Sequence, residues 1–550
     1  MRNKAVHLNG PNSTGRRRPL SFCYRWAIVA VGTVFFGYAF FRILFPAVTR
    51  GMWWDRNVLY GLAAIAAMLV TLLALWWLFR LTDRLAQRLL NRMVLILMLA
   101  ACALCILFTA LFSIAPAWDY GVVLRSALDL SSRGILTDPA YFARYPFQIY
   151  PLLYLAFFMK LIHAQTMAAA CGVSYVVNII HILLAVYGAF LFGKHCRDTR
   201  FGLKILLLCL LSLPLWLYAP ICYTDTLALP FPVWTLVLWL SARKAPFGSR
   251  RQKARKIALY LGSGLMAGLG LRIKSIAAIG LIAVVIFLLF DRVTGQDSEE
   301  SASDFPGRPA IQKGIAIALL LAGFLAAAAG AGLIAKAAGY GELHDDRYTY
   351  PMTHWFMMGA NRETLGGYYQ EDDLFTRSIP TYAEREKQTA ERYAERLRMD
   401  GAAGYFHFLM DKLEAMLCTG NYQAGGKLAQ HPLIEHEALQ SYHSPLVQVY
   451  LAYEQAFQAV ILLSLLAGVF LLARKPEGWV FRLSAMMLIG VVLFLLAWEG
   501  KARYLLFLIP VINIAAASGF CGMQEGCRRL WATRAGRRPG AEKADGGNRA

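Results

Sequence analysis

Charge is scarce in this chain. Only 16% of its 550 residues are ionic, and acids are the rarer sign, with 34 Asp and Glu against 56 Lys and Arg. With 58% hydrophobic residues and apolar runs that repeatedly reach the ~20 residues needed to cross a bilayer core, the sequence excludes a soluble globular enzyme. Paired cysteines are also missing. The ten cysteines are scattered, with Cys102, Cys105, Cys171 and Cys209 inside apolar runs and Cys521 and Cys527 near the end. That pattern excludes zinc ribbons and secreted disulfide frameworks and reads as small apolar filler. No phosphate-cradling loop is present either. The glycine-rich stretches "GSGLMAGLG" and "AAAAGAGLIAKAAG" have the small-residue spacing of close helix packing. The first apolar run, about 25–47, is too long for a signal-peptide core and lacks a small-residue cleavage site, so it reads as a retained span.

What is present is a strong cationic excess, formally +22, concentrated in a few short segments. The positive-inside rule absorbs it better than nucleic-acid binding does. Arg2, Lys4, Arg16, Arg17 and Arg18, with no acid among them, put the N-terminal segment in the cytoplasm. A second run near 58–79 returns to Arg80, Arg84, Arg88 and Arg92, an every-fourth-residue stripe expected on a short connecting helix, either against head groups or in solvent. A third run, 93–114, then leads outward to "SIAPAWDYGVVLRSALDL" and Asp119.

Counting 147–163 as a crossing would put the basic loop "GKHCRDTR" outside. That segment, short, aromatic and interrupted by Pro151, is therefore expected to lie in the outer interface. The remaining runs give crossings at 171–193, 201–219, 226–242, 257–271, 275–290, 312–336, 446–472, 479–498 and 504–520, about twelve in all, with both termini cytoplasmic. The 226–242 run returns to "RKAPFGSRRQKARK", with seven cations; the acidic loop 291–311 is expected to be disordered and weighs little in the rule.

The expected organisation is a basic cytoplasmic segment 1–24, two added spans and an Arg-rich connector 25–92, a catalytic core 93–337 with its first outer loop at 115–170, an extracytoplasmic insertion 338–445, C-terminal spans 446–520 and a basic tail 521–550. The fold class is an all-α polytopic membrane bundle with interfacial helices and a large outer helical insertion. A match to a glycosylation acceptor, "NST" at 12–14, falls on the cytoplasmic side.

Under this topology the uncommon polar residues collect at the outer face: Asp119, Arg144 and Tyr145, then Tyr223 and Asp225, Arg272 and Lys274, and Arg503 and Tyr504. Several stand in very short turns, which favours function over incidental charge. Glu499 and Lys501 read as ordinary span-end residues, the lysine snorkelling. A carboxylate can take a proton from a hydroxyl, and clustered Arg and Lys can hold a phosphate as its charge grows on departure. Sugar transfer from a polyprenyl-phosphate carrier needs both. An enzyme facing away from cytoplasmic nucleotide sugars would have to use such a carrier.

The motifs "WDYGVVLRSALDL", "YFARYPFQIYPLLYLAF", "YTDTLALPF", "GLRIKSIAAI", "YPMTHWFMMGANRETLGGYY" and "WEGKARYLLFLIP", taken in order over about residues 93–520, resemble the GT-C superfamily of integral-membrane glycosyltransferases. The type they resemble is the protein-mannosyltransferase-like (glycosyltransferase family 39-like) enzymes of bacterial envelopes. The resemblance implies an inverting sugar transfer from a polyprenyl-phosphate donor to a glycan, lipid or protein acceptor. It implies Asp119 as base and Arg272, Lys274 and Arg503 as lipid-phosphate ligands. Tyr120 stands where relatives carry a second adjacent acid, so a partner acid would have to be Asp129, Asp138 or Asp225. The turn "RIKS" also lacks the proline that follows the lysine in the family pattern.

In the insertion, His354, Trp355 and Asn361 are candidates for sugar contact, with an ordinary packed loop as the alternative. Glu342, Asp345 and Asp346 offer oxygen ligands to a divalent cation, although no strict metal motif is present and a solvated acidic turn accounts for them equally. Further on, two helices are expected, split by Gly401 and Gly404. The second, with Phe406, Leu409, Leu413 and Met416 on one side, would either roof the cavity from the membrane surface or form a simple hairpin. Other functions the sequence leaves open are a secondary transporter or lipid flippase, a lipid-linked glycan polymerase or ligase, and a non-catalytic scaffold.

Overall fold

The computed structural model describes residues 19–47, 58–290, 305, 308–340, 345–399, 401–441, 444–474 and 478–534, with the side chains of 19–20 and 58–62 excepted. The N-terminal cations through Arg18, the "NST" match, Glu342, most of the acidic loop 291–311 and the tail beyond Arg534 lie outside the described residues. Within them the chain is helical, and its one extended pairing is an isolated bridge between Ile114 and Pro432.

Nine helices among the described residues are long and apolar enough to cross a membrane. They account for nine of the expected crossings. The other three are built differently. The 201–219 crossing is Thr199–Leu211 followed by Leu213–Leu217, broken at Ser212. The 257–271 run belongs to Arg250–Ile273, a 24-residue helix with a basic first turn. The last is a 3-10 turn leading into Ile279–Phe290, only 12 residues long.

Helix packing relies on close backbone approach. A Cβ on Gly264 would lie 1.9 Å from the Leu320 carbonyl oxygen, and one on Gly323 would lie 2.0 Å from that of Leu261. Only glycine lets Arg250–Ile273 and Pro309–Ala335 meet so closely. This fulfils the packing expectation for "GSGLMAGLG". The second stretch packs closely at its start, where a Cβ on Gly268 would lie 2.8 Å from that of Ala327, while Gly330 faces open space.

Other expectations need correction. The Arg80–Arg92 stripe is not on a short helix of its own. Arg80 and Arg84 end Val58–Arg84, while Arg88 and Arg92 open Gln87–Phe112, with the chain turning between them. The first helix, Pro19–Leu44, packs on Pro445–Arg474 and Trp479–Ala497. Near its end, Arg42 Nε donates to the fully buried Glu414 at 2.6 Å, tying it to the insertion.

The segment after Asp119 forms Trp118–Arg133, Pro139–Arg144 and Ile149–Leu161. Thirteen residues rise about 20 Å, short of a ~30 Å hydrocarbon core. Ile149–Leu161 instead packs along Trp118–Arg133. In the insertion, Tyr382–Arg398 is followed by Gly401–Leu417. Gly401 (φ +61°) marks the break, whereas Gly404 lies inside the second helix. Of the expected apolar side, Leu413 and Met416 are buried while Phe406 is exposed. The buried Lys412 anchors this helix, donating to the carbonyls of Gly359 (2.7 Å), Leu496 (3.1 Å) and Trp498 (2.7 Å).

Candidate functional site

The site begins with a tight turn. In "PAWDYG" the chain folds back so closely that a Cβ on Gly121 would sit 2.5 Å from the Pro116 carbonyl oxygen. Trp118 adopts φ +43°, a left-handed conformation that costs a bulky residue about 1–3 kcal/mol. Packing overdetermines it: the indole lies 5.4 Å from the Tyr223 ring, with Lys427 Nζ 4.1 Å and the Arg503 guanidinium 5.7 Å from its centre. This turn puts Asp119 in the first turn of Trp118–Arg133, where the helix dipole favours a carboxylate.

Two tyrosines hold that carboxylate. Tyr141 O–H donates to Oδ1 at 3.0 Å and Tyr223 O–H to Oδ2 at 3.2 Å, while Gln148 Nε2 donates to the Tyr223 hydroxyl. Burial, reinforced by the charge of Asp119, pushes both phenols above their usual range, so they remain donors.

Tyr223 leads directly into Asp225, which is 2% exposed. Lys274 Nζ lies 2.5 Å from Asp225 Oδ1 and Arg503 Nε 3.2 Å from Oδ2. Tyr504 supports both cations: its ring centre is 4.7 Å from Lys274 Nζ and 5.6 Å from the Arg503 guanidinium, and its hydroxyl donates to Glu499 at 2.6 Å. Among the described residues Lys427 and Lys501 make no ion pair. Burial, together with the positive Arg503 and Lys501, pushes Lys427 down to about 8; burial also lowers Lys501. Asp119 and Asp225 are thus joined through Tyr223 and Arg503 in one cluster of carboxylates, cations and phenols.

The structure sorts the sequence candidates. Asp119, Tyr223, Asp225, Lys274, Arg503 and Tyr504 come together. Arg272 does not join them, because its Nε and Nη2 both donate to the Ala328 carbonyl, at 3.0 and 2.6 Å, and it stacks over Tyr150. The two cations part because the helix ends between them: Arg272 is in its last turn, and Lys274 is extended. Asp129 pairs with Arg133, 3.3 Å away, and Asp138 holds the N-cap position of Pro139–Arg144 in a left-handed conformation without a side-chain cap hydrogen bond; of the proposed partner acids, Asp225 is the one the structure brings into the cluster.

Arg144 ends that short helix with a buried Nε that has no hydrogen-bond partner among the described residues. Tyr145 reaches the insertion, donating to Asp373 at 3.2 Å and packing 6.0 Å from the Trp355 ring. Trp355, partly exposed, also stacks on Trp498 at 6.2 Å. His354 and Asn361 are buried and hold the insertion together, His354 Nδ1 paired with Thr376 at 2.7 Å and Asn361 donating to Asp372 at 3.0 Å. Neither has the exposure that sugar contact requires. Asp345 pairs with Arg347 at 3.0 Å, and among the described residues no three metal-ligating side chains converge.

Sequence reasoning missed Tyr141 and Lys427 and read Lys501 as an incidental snorkelling residue. Tyr141 was within the quoted "YFARYPF" motif, but no local signal marks Lys427.

The family model described as "Conserved hypothetical integral membrane protein" matches residues 28–520. No curated protein matches. Among solved structures, the archaeal oligosaccharyltransferase AglB from Archaeoglobus fulgidus, in complex with an inhibitory peptide and a dolichol-phosphate, is similar at 14% identity and a TM-score of 0.40, over 81% of this chain and 52% of that one. The Archaeoglobus fulgidus oligosaccharyltransferase tethered to an acceptor peptide gives 13% identity and a TM-score of 0.41, over 80% and 52%. The chain therefore spans about half the length of these structures, and at such scores the likeness carries no argument about fold or chemistry.

Proposed function

We propose that this chain, which belongs to the family of conserved hypothetical integral membrane proteins, is a glycosyltransferase that moves a sugar from a polyprenyl-phosphate-linked donor to an envelope or cell-surface acceptor on the non-cytoplasmic face. The observation that carries this reading is the Asp119 carboxylate, steadied by two phenol donors beside Lys427 and Lys501, which have no ion pair of their own among the described residues. A base next to uncommitted cations suits a reaction in which a hydroxyl loses a proton while a phosphate leaves.

In this mechanism Asp119 takes the proton of the acceptor hydroxyl, whose oxygen attacks the anomeric carbon from the face opposite the phosphate. The bond from that carbon to the phosphate oxygen breaks, its electron pair stays on the phosphate, and the configuration inverts. Lys427, Lys501 and Arg503 neutralise the departing phosphate. Asp225 does not act as a second base, because both its oxygens face cations; it positions Lys274 and Arg503. Trp355 offers an aromatic face for the acceptor or sugar. The concentration of Arg80, Arg84, Arg197, Arg243, Lys244, Arg528 and Arg529 away from this cluster supports placing the site on the non-cytoplasmic side. The motif order that resembles GT-C transferases supports the same reaction.

The test is transfer from a polyprenyl-phosphate sugar to envelope acceptors by wild type and Asp119→Asn. Loss of about 10²–10⁴-fold in rate is expected for removal of a general base. Undiminished transfer by the variant would remove Asp119 from the mechanism, and solute uptake by proteoliposomes would favour a transporter.

A further inference from the structure

A cationic cavity lies at the other end of the bundle, away from Asp119. The helix Met167–Cys196 connects the two ends: Ser174 Oγ meets the Tyr120 hydroxyl near its start, and Cys196 lines the cavity. The twenty-two residue steps from Ser174 to Cys196 span about 33 Å. The cavity measures about 800 Å³ and lies between the ends of several helices, with Phe201 and Trp479 among its walls. Arg80, Arg197, Lys204, Arg528 and Arg529 face it, against two carboxylates among the described residues, Asp83 and Glu525.

Those two acids are already committed. Asp83 Oδ1 is 2.7 Å from Lys204 Nζ, and Glu525 is paired with Arg528 and, at 2.8 Å, with Arg529. Arg80 and Arg197 lean over the rings of Trp76 and Phe201. Cations at this end follow from the positive-inside rule, but a concave site around a lysine only 7% exposed does not.

A second hollow adjoins the first. It holds about 380 Å³, shares Arg80 and Arg528 with the larger cavity, and is otherwise lined by Trp76, Cys527 and Trp531. A cationic chamber that shares two arginines with an apolar one fits a molecule with a phosphate at one end and hydrocarbon at the other.

We propose that this pair of cavities binds an anionic phospholipid, with its phosphate headgroup among Arg80, Arg197, Lys204 and Arg528 and an acyl chain against Trp76 and Trp531. Basic pockets between membrane helices on the cytoplasmic side are suited to anionic headgroups. The site is separate from the transfer chemistry and independent of it.

The experiment uses the full chain, extracted in mild detergent and mixed with equal amounts of phosphatidylglycerol and phosphatidylcholine, and measures retained lipid by mass. Wild type should retain phosphatidylglycerol preferentially. Arg197→Glu combined with Arg528→Glu should lower that retention by about fivefold or more. Arg84→Glu, an exposed cation at the same end but outside both cavities, should leave it unchanged. Equal retention by the double variant overturns the proposal, and so does an equal loss in Arg84→Glu, which would mean diffuse attraction. Glycerol 3-phosphate and Trp531→Ala separate lipid from free phosphate. The tryptophan variant should weaken phosphatidylglycerol binding and leave glycerol 3-phosphate binding unchanged. If phosphatidylglycerol binding is also unchanged, the ligand is a soluble phosphate and the lipid assignment fails.

Discussion

Lys274 Nζ lies 2.5 Å from Asp225 Oδ1, joining residues 49 positions apart in a pocket where the carboxylate is 2% exposed. Arg503 approaches the other oxygen at 3.2 Å. Removing the carboxylate leaves two cations short of their counter-charge. We therefore expect Asp225→Ala to destabilise the protein by about 3–5 kcal/mol, the usual cost of breaking a buried pair, seen as a lower melting temperature in detergent. A variant as stable as wild type would show that the pair does not hold the site together.

Tyr141 and Tyr223 address different oxygens of Asp119, so each phenylalanine substitution removes one donor. Each should reduce kcat about tenfold, while the double variant should lose more than either, with donor KM little changed. A loss confined to KM would mean that the phenols bind substrate instead of orienting the base.

Lys427 supplies a pH signature. Its ammonium is pushed down to about 8, below the lysine range, by burial and by Arg503 and Lys501. A bound phosphate favours the charged form, so donor binding should be full below pH 8 and weaken as pH rises through it. Donor KM measured from pH 6 to 10 should rise on the alkaline side, and Lys427→Met should be flat over that limb with a raised KM throughout.

Arg272 separates the structural assignment from the one made on sequence. Its guanidinium is taken up by the Ala328 carbonyl. Arg272→Met should lower stability by about 1.5–3 kcal/mol, the worth of hydrogen bonds from a charged donor, while leaving donor KM near wild type. A large rise in KM at unchanged stability would return it to the phosphate site.

Lys412→Met tests how the insertion is fixed. The lysine donates to three carbonyls from two other segments, and losing it orphans them at a cost of about 3 kcal/mol or more. Proteolysis should then cut the insertion earlier than the bundle.

The membrane class, most span positions and the tight turn at "WDYG" were legible because they are local properties. Hydropathy over twenty residues, the sign of short loops and a carboxylate beside a glycine turn can all be read along the chain. The sequence also indicated that 147–163 was too short and too interrupted to cross, and its helix is 13 residues long. Convergence was less legible. "GLRIKS" presents two cations two residues apart, but a helix end between them sends one to Ala328 and the other to Asp225. His354 and Asn361 have side chains suited to sugars, yet burial commits them to the insertion.

The sequence by itself determined that this is a many-span helical membrane protein, since bilayer thickness acts on short apolar stretches. Only the tertiary structure decided which groups surround Asp119. Tyr141, Tyr223, Lys427 and Arg503 come from four separate segments, and what unites them is where helices end and how closely they pack, a balance of burial and backbone geometry that no single stretch contains.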